Sequence, residues 1–181
     1  MSKECIYEKI DGTQKLTQFL CTNYGNKKYV CFNFWRKTEI SSIGKKAFAY
    51  DSFVQRVILS KNIKTIEESA FENSSGLEIL EAPYRKKEKI KELSIQYNAF
   101  KGCENLKVVN LENVEKLHIE AFAFSGCCSL RAVVLPEECL IDENAFSGCD
   151  KDKLCFIVKP NSSSESFVRT HEYRWMKNEG N

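Results

Sequence analysis

Cysteine residues at recurring positions are the feature of this sequence that most directly suggests chemistry. The pentapeptide AFSGC occupies 123–127 and 145–149, and a near copy, AFKGC, occupies 99–103. Repeated thiols could bind a metal ion or carry out redox chemistry. A zinc site, however, needs about four converging ligands with close C-x-x-C spacing, whereas Cys127 and Cys128 are adjacent. The pattern therefore favours a repeated structural unit, and we expect neither a metal nor a cofactor.

Two histidines are the other candidates for acid–base chemistry. His118 directly precedes an isoleucine that recurs in every repeat, which predicts a ring that faces solvent. His171 lies on the inner side of a predicted C-terminal helix. The chain contains no G-x-S-x-G, P-loop, H-E-x-x-H or G-x-G-x-x-G motif, and these are the patterns that place a nucleophile, a phosphate group or a metal. We therefore predict that the protein is not an enzyme.

Composition and charge restrict the classes of partner. The 181 residues are 43% hydrophobic, which is enough to build a folded core. Lys and Arg number 27 against 25 Asp and Glu, so the chain lacks the basic excess that is typical of nucleic-acid-binding proteins. No stretch approaches the roughly 18 apolar residues of a membrane span. We expect a protein partner, no nucleic acid and no membrane insertion.

The sequence leaves two cellular locations open. The segment MSKECIYEKIDG lacks the apolar core and the cleavage site of a secretory signal. The nine cysteines are an odd number in a chain larger than most disulfide-stabilised scaffolds. Both observations favour reduced thiols and a cytoplasmic protein. Removal of an export signal would instead allow a protein that is secreted or held at the cell surface.

An Ala-Phe pair recurs along the chain and places the cysteine pentapeptide within a repeat. The pairs are Ala47-Phe48, Ala70-Phe71, Ala99-Phe100, Ala123-Phe124 and Ala145-Phe146, at intervals of 23, 29, 24 and 22 residues. An isoleucine stands four residues before each alanine, at Ile43, Ile66, Ile95, Ile119 and Ile141. A period of roughly 20 to 30 residues is typical of a solenoid, in which each unit buries its apolar edge against its neighbours.

Each repeat also contains a short apolar pattern that predicts a strand. Two apolar positions separated by one residue recur at Val57 and Leu59, Leu80 and Ala82, Val109 and Leu111, and Val133 and Leu135. Counted in the same way, the fifth repeat has Ile157 at the first position and, as an exception, Lys159 at the second. Alternation predicts that these side chains point inward. We expect one short parallel strand per repeat and an irregular segment that returns the chain.

These recurring positions resemble the BspA-type leucine-rich repeat, whose units read roughly IGxxAFxxCxxLxxVxLP. The segment AFSGCCSLRAVVLP at 123–136 follows this pattern almost throughout, and the resemblance extends over about residues 38–160. It implies a leucine-rich repeat solenoid, a right-handed coil with one strand per turn. It also implies a non-catalytic function in protein binding or adhesion, often at microbial or protist surfaces.

The resemblance divides the chain into three regions of a single domain. We interpret residues 1–37 as a degenerate first repeat or N-terminal strand cap, 38–160 as five repeats, and 161–181 as a C-terminal capping helix. The predicted helix begins with a capping box, Ser162 with Glu165. Its predicted inner face carries Phe167, Val168, His171 and Trp175.

The longest interval between repeats contains a basic insertion, YRKKEKIKE, at 84–92. Insertions in repeat proteins map to loops, and runs of charge are usually solvated. We therefore expect an exposed loop here. A basic contact patch is the alternative.

The outward side chains of the predicted strands form the candidate partner-binding site. They alternate with the inward positions and are Arg56, Ile58, Ile79, Glu81, Val108, Asn110, Ala132, Val134, Phe156 and Val158. An apolar stripe of this kind indicates a binding surface for a protein of unknown identity, with Phe156 as its aromatic anchor. Two alternatives remain open. The stripe could reflect strand propensity alone, or it could be covered by the terminal segments or by a second copy in a self-associating structural or adhesive protein.

Overall fold

The computed structural model describes residues 5–10, 13–19, 29–31, 40–82 and 89–179. These residues form a parallel-strand solenoid of about six turns with one short helix near the C-terminus, so the predicted solenoid class is confirmed. The elements are β1 (Cys5–Ile10), β2 (Thr13–Phe19), β3 (Tyr29–Cys31), β4 (Ile40–Ile43), β5 (Arg56–Ile58), β6 (Thr65–Ile66), β7 (Ile79–Glu81), β8 (Ile90–Ile95), β9 (Val108–Asn110), β10 (Val114–Ile119), β11 (Ala132–Val134), β12 (Glu138–Ile141), β13 (Cys155–Val158), α1 (Ser163–Thr170) and β14 (Arg174–Lys177).

Two sheets wrap the core. Within the described residues each contains seven strands: sheet A has the order β1-β2-β4-β6-β8-β10-β12, and sheet B has the order β14-β13-β11-β9-β7-β5-β3. Apart from the antiparallel β1–β2 hairpin, the neighbouring strands pair in parallel. Each coil therefore contributes one strand to each sheet.

This arrangement corrects the prediction of one strand per repeat. Sheet B contains the predicted strands, whereas sheet A lies in the segments expected to be irregular. The recurring isoleucines end the sheet A strands and pair in register, as with Ile66 beside Ile95 and Ile95 beside Ile119. A buried backbone needs hydrogen-bond partners, and the next coil supplies them. The hand of the coil stays a prediction.

Part of the predicted loop at 84–92 belongs to a strand. Residues 83–88 lie outside the described residues, but β8 begins at Ile90. Ile90 is buried, and Lys89 and Lys91 on either side of it are exposed. The loop prediction is therefore wrong for 90–92, because Ile90 supplies an inward side chain and pairs with Val114 of β10.

The phenylalanines of the Ala-Phe pairs form one continuous stack through the core. Successive rings, from Phe48 through Phe71, Phe100 and Phe124 to Phe146, have centroids 4.7, 5.0, 5.1 and 5.2 Å apart and interplanar angles of 5° or less. Each of these rings is at most 2% exposed. The distance between successive coils is therefore held by stacking of the aromatic rings as well as by the sheets.

A left-handed residue turns the chain after each Ala-Phe pair. Gly102, Gly126 and Gly148 take this position in three repeats, with φ of +70°, +71° and +76°. A Cβ atom on Gly102 would lie 2.2 Å from Oδ1 of Asn73. The equivalent residue of the first repeat is Tyr50, with φ of +61°, a conformation that costs a non-glycine residue about 1 to 2 kcal/mol.

The C-terminal cap is a short helix followed by a strand. Ser162 is the N-cap, and its Oγ accepts a hydrogen bond from the Glu165 amide at 3.1 Å, as the capping box predicts. The Glu165 carboxylate accepts a hydrogen bond from the Asn161 amide at 2.6 Å, and this bond, followed by contact with Arg169, lowers the pKa of Glu165. Both interactions fix the start of α1.

The helix ends earlier than predicted. Glu172 adopts φ of +56°, and its amide donates to the Arg169 carbonyl while the Tyr173 amide donates to the Val168 carbonyl. These two bonds form a Schellman motif. Trp175 consequently lies in β14 rather than on the helix, and the interpretation of 161–181 as a single helix is corrected to α1 plus a strand that extends sheet B.

The N-terminal region adds strands to both sheets. β2 pairs in parallel with β4, which joins the β1–β2 hairpin to sheet A, and β3 pairs in parallel with β5 of sheet B. The rest of the region predicted as a degenerate repeat or strand cap, residues 1–4, 11–12, 20–28 and 32–37, lies outside the described residues.

Candidate protein-interaction surface

The outward side of sheet B carries eight of the ten predicted site residues. They are Arg56, Ile58, Ile79, Glu81, Val108, Asn110, Ala132 and Val134. Each alternates with a fully buried neighbour, as at Val109 between Val108 and Asn110. Arg56 is exposed and the other seven are half-buried, so the predicted register holds from β5 to β11.

Phe156 and Val158 are not on this surface. Both are 0% exposed and belong to the core. The register pairs Phe156 with the inward Val133, and Cys155 with the outward Ala132. The prediction counted a fixed distance from Leu154, but the fifth repeat reaches its strand one residue sooner after that leucine. Its side chains are therefore shifted to the opposite face of the sheet.

The corrected register also removes the exception at Lys159. Val158, which is buried, takes the inward position that the prediction had assigned to Lys159. The outward residues of β13 are instead Cys155 and Ile157, and β14 continues the two rows with Arg174 beside Cys155 and Met176 beside Ile157. A lysine among inward residues was the signal that could have revealed this shift.

We define the sheet B face by its two outward rows. The first row is Arg56, Ile79, Val108, Ala132, Cys155 and Arg174, and the second is Ile58, Glu81, Asn110, Val134, Ile157 and Met176. Most of these side chains are apolar and half-buried, and Met176 is 57% exposed. The face is a nearly continuous apolar strip that crosses six strands.

Charges in the N-terminal half of the face are paired. The Arg56 guanidinium donates to both carboxylate oxygens of Glu81 on the next coil, with Nη2 to Oε2 at 2.8 Å. This hydrogen bond raises the pKa of Arg56. At the edge of the face, Lys107 Nζ lies 3.1 Å from a carboxylate oxygen of Glu78.

Two arginines in the C-terminal half are bonded differently. Arg131 Nη1 donates to the Cys128 and Leu130 carbonyls at 3.0 Å each, and Arg174 Nη1 donates to the Asp152 carbonyl. Both side chains are exposed. Among the described residues neither guanidinium forms an ion pair with a carboxylate.

The cysteines of the pentapeptides are structural. The Sγ atoms of Cys103, Cys127 and Cys149 donate to the carbonyls of Phe71, Phe100 and Phe124 on the preceding coil, at 3.0, 3.3 and 3.3 Å. Burial raises the pKa of Cys103 and Cys149 to about 12 and also raises the pKa of Cys127. Neutral thiols of this kind are poor nucleophiles and poor metal ligands.

The two histidines lie apart from the row of cysteines. His118 is exposed on the outer side of sheet A, as predicted. His171 is the C-cap of α1, and its Nδ1 lies 2.9 Å from the Phe167 carbonyl. Within the described residues, no group of three or more His, Cys, Asp and Glu side chains could hold a metal ion.

A shallow cleft between the fifth repeat and the cap has a volume of about 290 Å³. It is lined in part by Cys149, Lys151, His171 and Tyr173. Lys151 Nζ donates to the His171 carbonyl at 3.3 Å and lies 4.8 Å from the centroid of the Tyr173 ring. The Lys151 ammonium group is therefore engaged in holding the cap.

Two exposed aromatic residues escaped the prediction of site residues. Tyr50 is 72% exposed and Phe53 is 68% exposed. They occupy positions where the second repeat has Asn73 and Gly76. An aromatic residue in place of a small or polar one was the sequence signal that could have found them.

A comparison with protein families identifies the repeat. Residues 87–168 match the profile described as a BspA type Leucine rich repeat region, in six copies. Residues 87–168 are therefore a BspA-type leucine-rich repeat region. The resemblance seen in the Ala-Phe, isoleucine and cysteine positions is thereby confirmed. No curated protein matches the chain in sequence.

Two solved structures resemble the chain. A leucine rich cell surface protein from Faecalibacterium prausnitzii A2-165 is 22% identical, with a TM-score of 0.67 over 91% of this chain and 41% of its own. A leucine-rich repeat protein from Bacteroides ovatus ATCC 8483 is 25% identical, with a TM-score of 0.49 over 88% of this chain and 49% of its own. The chain thus spans less than half of either protein.

No helix within the described ranges combines the length and apolar character needed to cross a membrane.

Proposed function

We propose that the BspA-type repeat region is a non-catalytic module that binds a protein partner through the sheet B face. The observation that carries this proposal is the apolar strip on the outward side of sheet B. Strand propensity alone would place similar residues on the outward side of sheet A, where Ser42, Thr65, Ser94 and His118 pair in one row instead. Of the large apolar side chains, that row includes Leu140, beside His118 at its C-terminal end, so among the described strands the continuous apolar strip is a feature of sheet B.

The geometry of the strip supports protein binding. Its side chains lie on regular strands whose register is fixed by hydrogen bonds. Binding would therefore cost little free energy for ordering this surface. Contiguous apolar surface of this kind is uncommon on soluble domains without an interaction. Val134 and Ile157, on adjacent strands of the second row, are central and are our candidates for the residues that contribute most to binding.

The test compares two variants, each of which introduces a carboxylate on the outward side of one sheet. The partner is first captured from the source cell with the wild-type chain, identified and purified, and its affinity is then measured for Val134→Asp and Ser94→Asp. We expect Val134→Asp to weaken binding by about 1 to 4 kcal/mol, because it places a carboxylate within a desolvated apolar contact. Ser94→Asp, on sheet A, is expected to bind as the wild type does.

Thermal unfolding of both variants provides the control. Val134 and Ser94 are each half-buried on an outward row, so we expect similar, small changes in melting temperature. Wild-type affinity in a folded Val134→Asp variant would refute the sheet B face as the binding surface.

A second candidate function is cell-surface adhesion or self-association. Two observations favour it: the Faecalibacterium protein of the same fold is described as a cell surface protein, and β14 is the last strand of sheet B and carries the exposed Met176. Exposed edge strands can pair with another chain. Light scattering distinguishes the two candidates, since self-association gives a mass that rises with protein concentration and hetero-binding does not.

A further inference from the structure

The arginines on the sheet B face and at its edge fall into two classes. Arg56 is bound to Glu81, and that pair carries no net charge. Arg131 and Arg174 donate to backbone carbonyls through Nη1, which leaves each guanidinium with its full charge and its other N–H donors. The C-terminal half of the face is therefore electropositive, although the whole chain is almost neutral, with 27 basic against 25 acidic residues.

These two arginines border an apolar patch. Arg131 immediately precedes β11, and Arg174 begins β14, two strands further along sheet B. Between and beside them lie Ala132, Val134, Cys155, Ile157 and Met176. The nearby Lys153 is already paired with Asp150 at 2.8 Å. The patch therefore offers apolar contact together with two guanidiniums that can receive carboxylates.

We propose that this C-terminal patch selects a protein segment that presents carboxylates next to apolar side chains. The inference rests on the proposed function and specifies the chemistry of the partner. Arginine matches a carboxylate through paired N–H donors. An apolar environment beside the pair strengthens it, because contact with the partner excludes water from both groups.

A protein segment fits this patch better than an anionic membrane does. Lipid surfaces are bound by clusters of about four to eight basic residues or by inserted apolar side chains. Here there are two arginines, and the apolar side chains between them are half-buried, apart from Met176. A nucleic acid would likewise require a larger basic area.

The experiment uses two labelled peptides of about 18 residues, long enough to cover the patch in either a helical or an extended form. Both have the same leucine and alanine positions; one carries glutamates and the other lysines at the remaining positions. Affinities for the full chain are measured by fluorescence anisotropy at low salt. We expect the glutamate peptide to bind at least tenfold more tightly than the lysine peptide.

Matched variants assign this preference to the two arginines. Arg131→Gln combined with Arg174→Gln is expected to remove the preference, whereas Lys91→Gln combined with Lys116→Gln, with the same change in charge on the exposed side of sheet A, is expected to keep it. Equal binding of both peptides, no detectable binding of the glutamate peptide, or an unchanged preference in the arginine variant would each overturn the inference.

Two further measurements separate this inference from its alternatives. If Val134→Asp weakens both peptides while the arginine variant changes neither, the sheet B face binds proteins but does not select carboxylates, so the proposed function survives and this inference fails. Vesicles of phosphatidylserine and phosphatidylcholine are tested in parallel. Binding to vesicles that depends on the two arginines, without binding of the glutamate peptide, would assign the charge to a membrane and also overturn the inference.

Discussion

Sheets A and B are built on the same coils, yet their outward rows have opposite character. Inward, both supply aliphatic side chains to one core, such as Ile95 from sheet A and Val109 from sheet B. Outward, sheet A presents Ser94, His118 and the charged Glu92 and Lys116, with the exposed Leu140 on its last strand, while sheet B presents the apolar strip. The core imposes the same requirement on both sheets and none on their outer rows, so the outer rows carry the information about function.

The edges of the two sheets differ as well. At the C-terminal end, α1 covers β12 of sheet A, where Ser163 Oγ accepts a hydrogen bond from the Cys139 amide at 2.7 Å and donates to the Glu137 carbonyl at 2.9 Å. Sheet B instead gains β14, whose outward residues extend the sheet B face. The cap therefore closes one sheet and lengthens the surface of the other.

The largest expected effect tests which side of sheet B faces the core. Phe156→Ala should lower the free energy of unfolding by about 3 to 5 kcal/mol, because the buried ring meets Phe146 edge to face at 5.1 Å and its loss leaves a cavity. Ile157→Ala, the outward neighbour, should cost less than about 1 kcal/mol. Urea unfolding measures both. The reverse order of effects would restore the register that places Phe156 on the surface.

The sequence predicts the core of the repeats well because the same apolar positions can be compared between five repeats. The Ala-Phe pairs, the isoleucines and the strand positions recur, and the stack from Phe48 to Phe146 follows from them directly. The outward and inward positions of the fifth repeat are predicted wrongly because it has two extra residues before Leu154 and one fewer between that leucine and the strand. None of the other four repeats has these changes, so comparison between repeats does not reveal them. Strands as short as Thr65–Ile66 show too little alternation to be recognised; they depend on pairing with neighbouring coils.

The cap and the candidate site show the limits of local sequence signals. Ser162 and Glu165 predict the start of α1. Its end has no such signal, because the left-handed position is occupied by Glu172 rather than by a glycine. Arg131 and Arg174 could not be assigned from sequence, because their availability depends on which acceptors the fold places near them. Local patterns specify elements, whereas charge pairing across coils is a property of the tertiary structure.

An intermediate effect tests whether the interiors of the two sheets form one continuous apolar core. Cys103, Cys127 and Cys149 lie at the corner between the sheets, and burial holds the pKa of Cys103 and Cys149 at about 12. Unfolded thiols ionise near a pH of about 8.5. Above that pH the unfolded chain has lost protons that the folded chain retains, so raising the pH towards 12 favours unfolding.

We therefore expect the free energy of unfolding to fall by at least about 2 kcal/mol between pH 8 and pH 10 in excess of any change in a control that cannot ionise. The control replaces all three thiols with serine, the residue that Ser74 supplies at this position in the second repeat. Urea unfolding in the presence of a reductant makes the comparison. An identical pH dependence in both proteins would mean that the thiols are solvated.

The smallest expected effect concerns the corner at Tyr50, where repeats three to five have glycine. Tyr50→Gly should stabilise the protein by about 0.5 to 1 kcal/mol, because relief of the left-handed strain exceeds the added entropy of the unfolded chain. The 72% exposed ring contributes little packing to oppose this gain. Thermal or urea unfolding checks the direction. Destabilisation would mean that the ring packs against the protein more than its exposure indicates.

Partner affinity of the same variant sharpens the comparison between the sheets. If sheet B provides the whole interface, we expect Tyr50→Gly to bind the partner with wild-type affinity. We expect the same of Phe53→Ser, which introduces the residue that the fourth repeat has at the equivalent position, Ser129. A loss of affinity in a more stable Tyr50→Gly protein would instead place an aromatic contact on the corner. Strain held at an exposed residue is a feature of binding sites, and the interface would then extend around the first coil from sheet B towards sheet A.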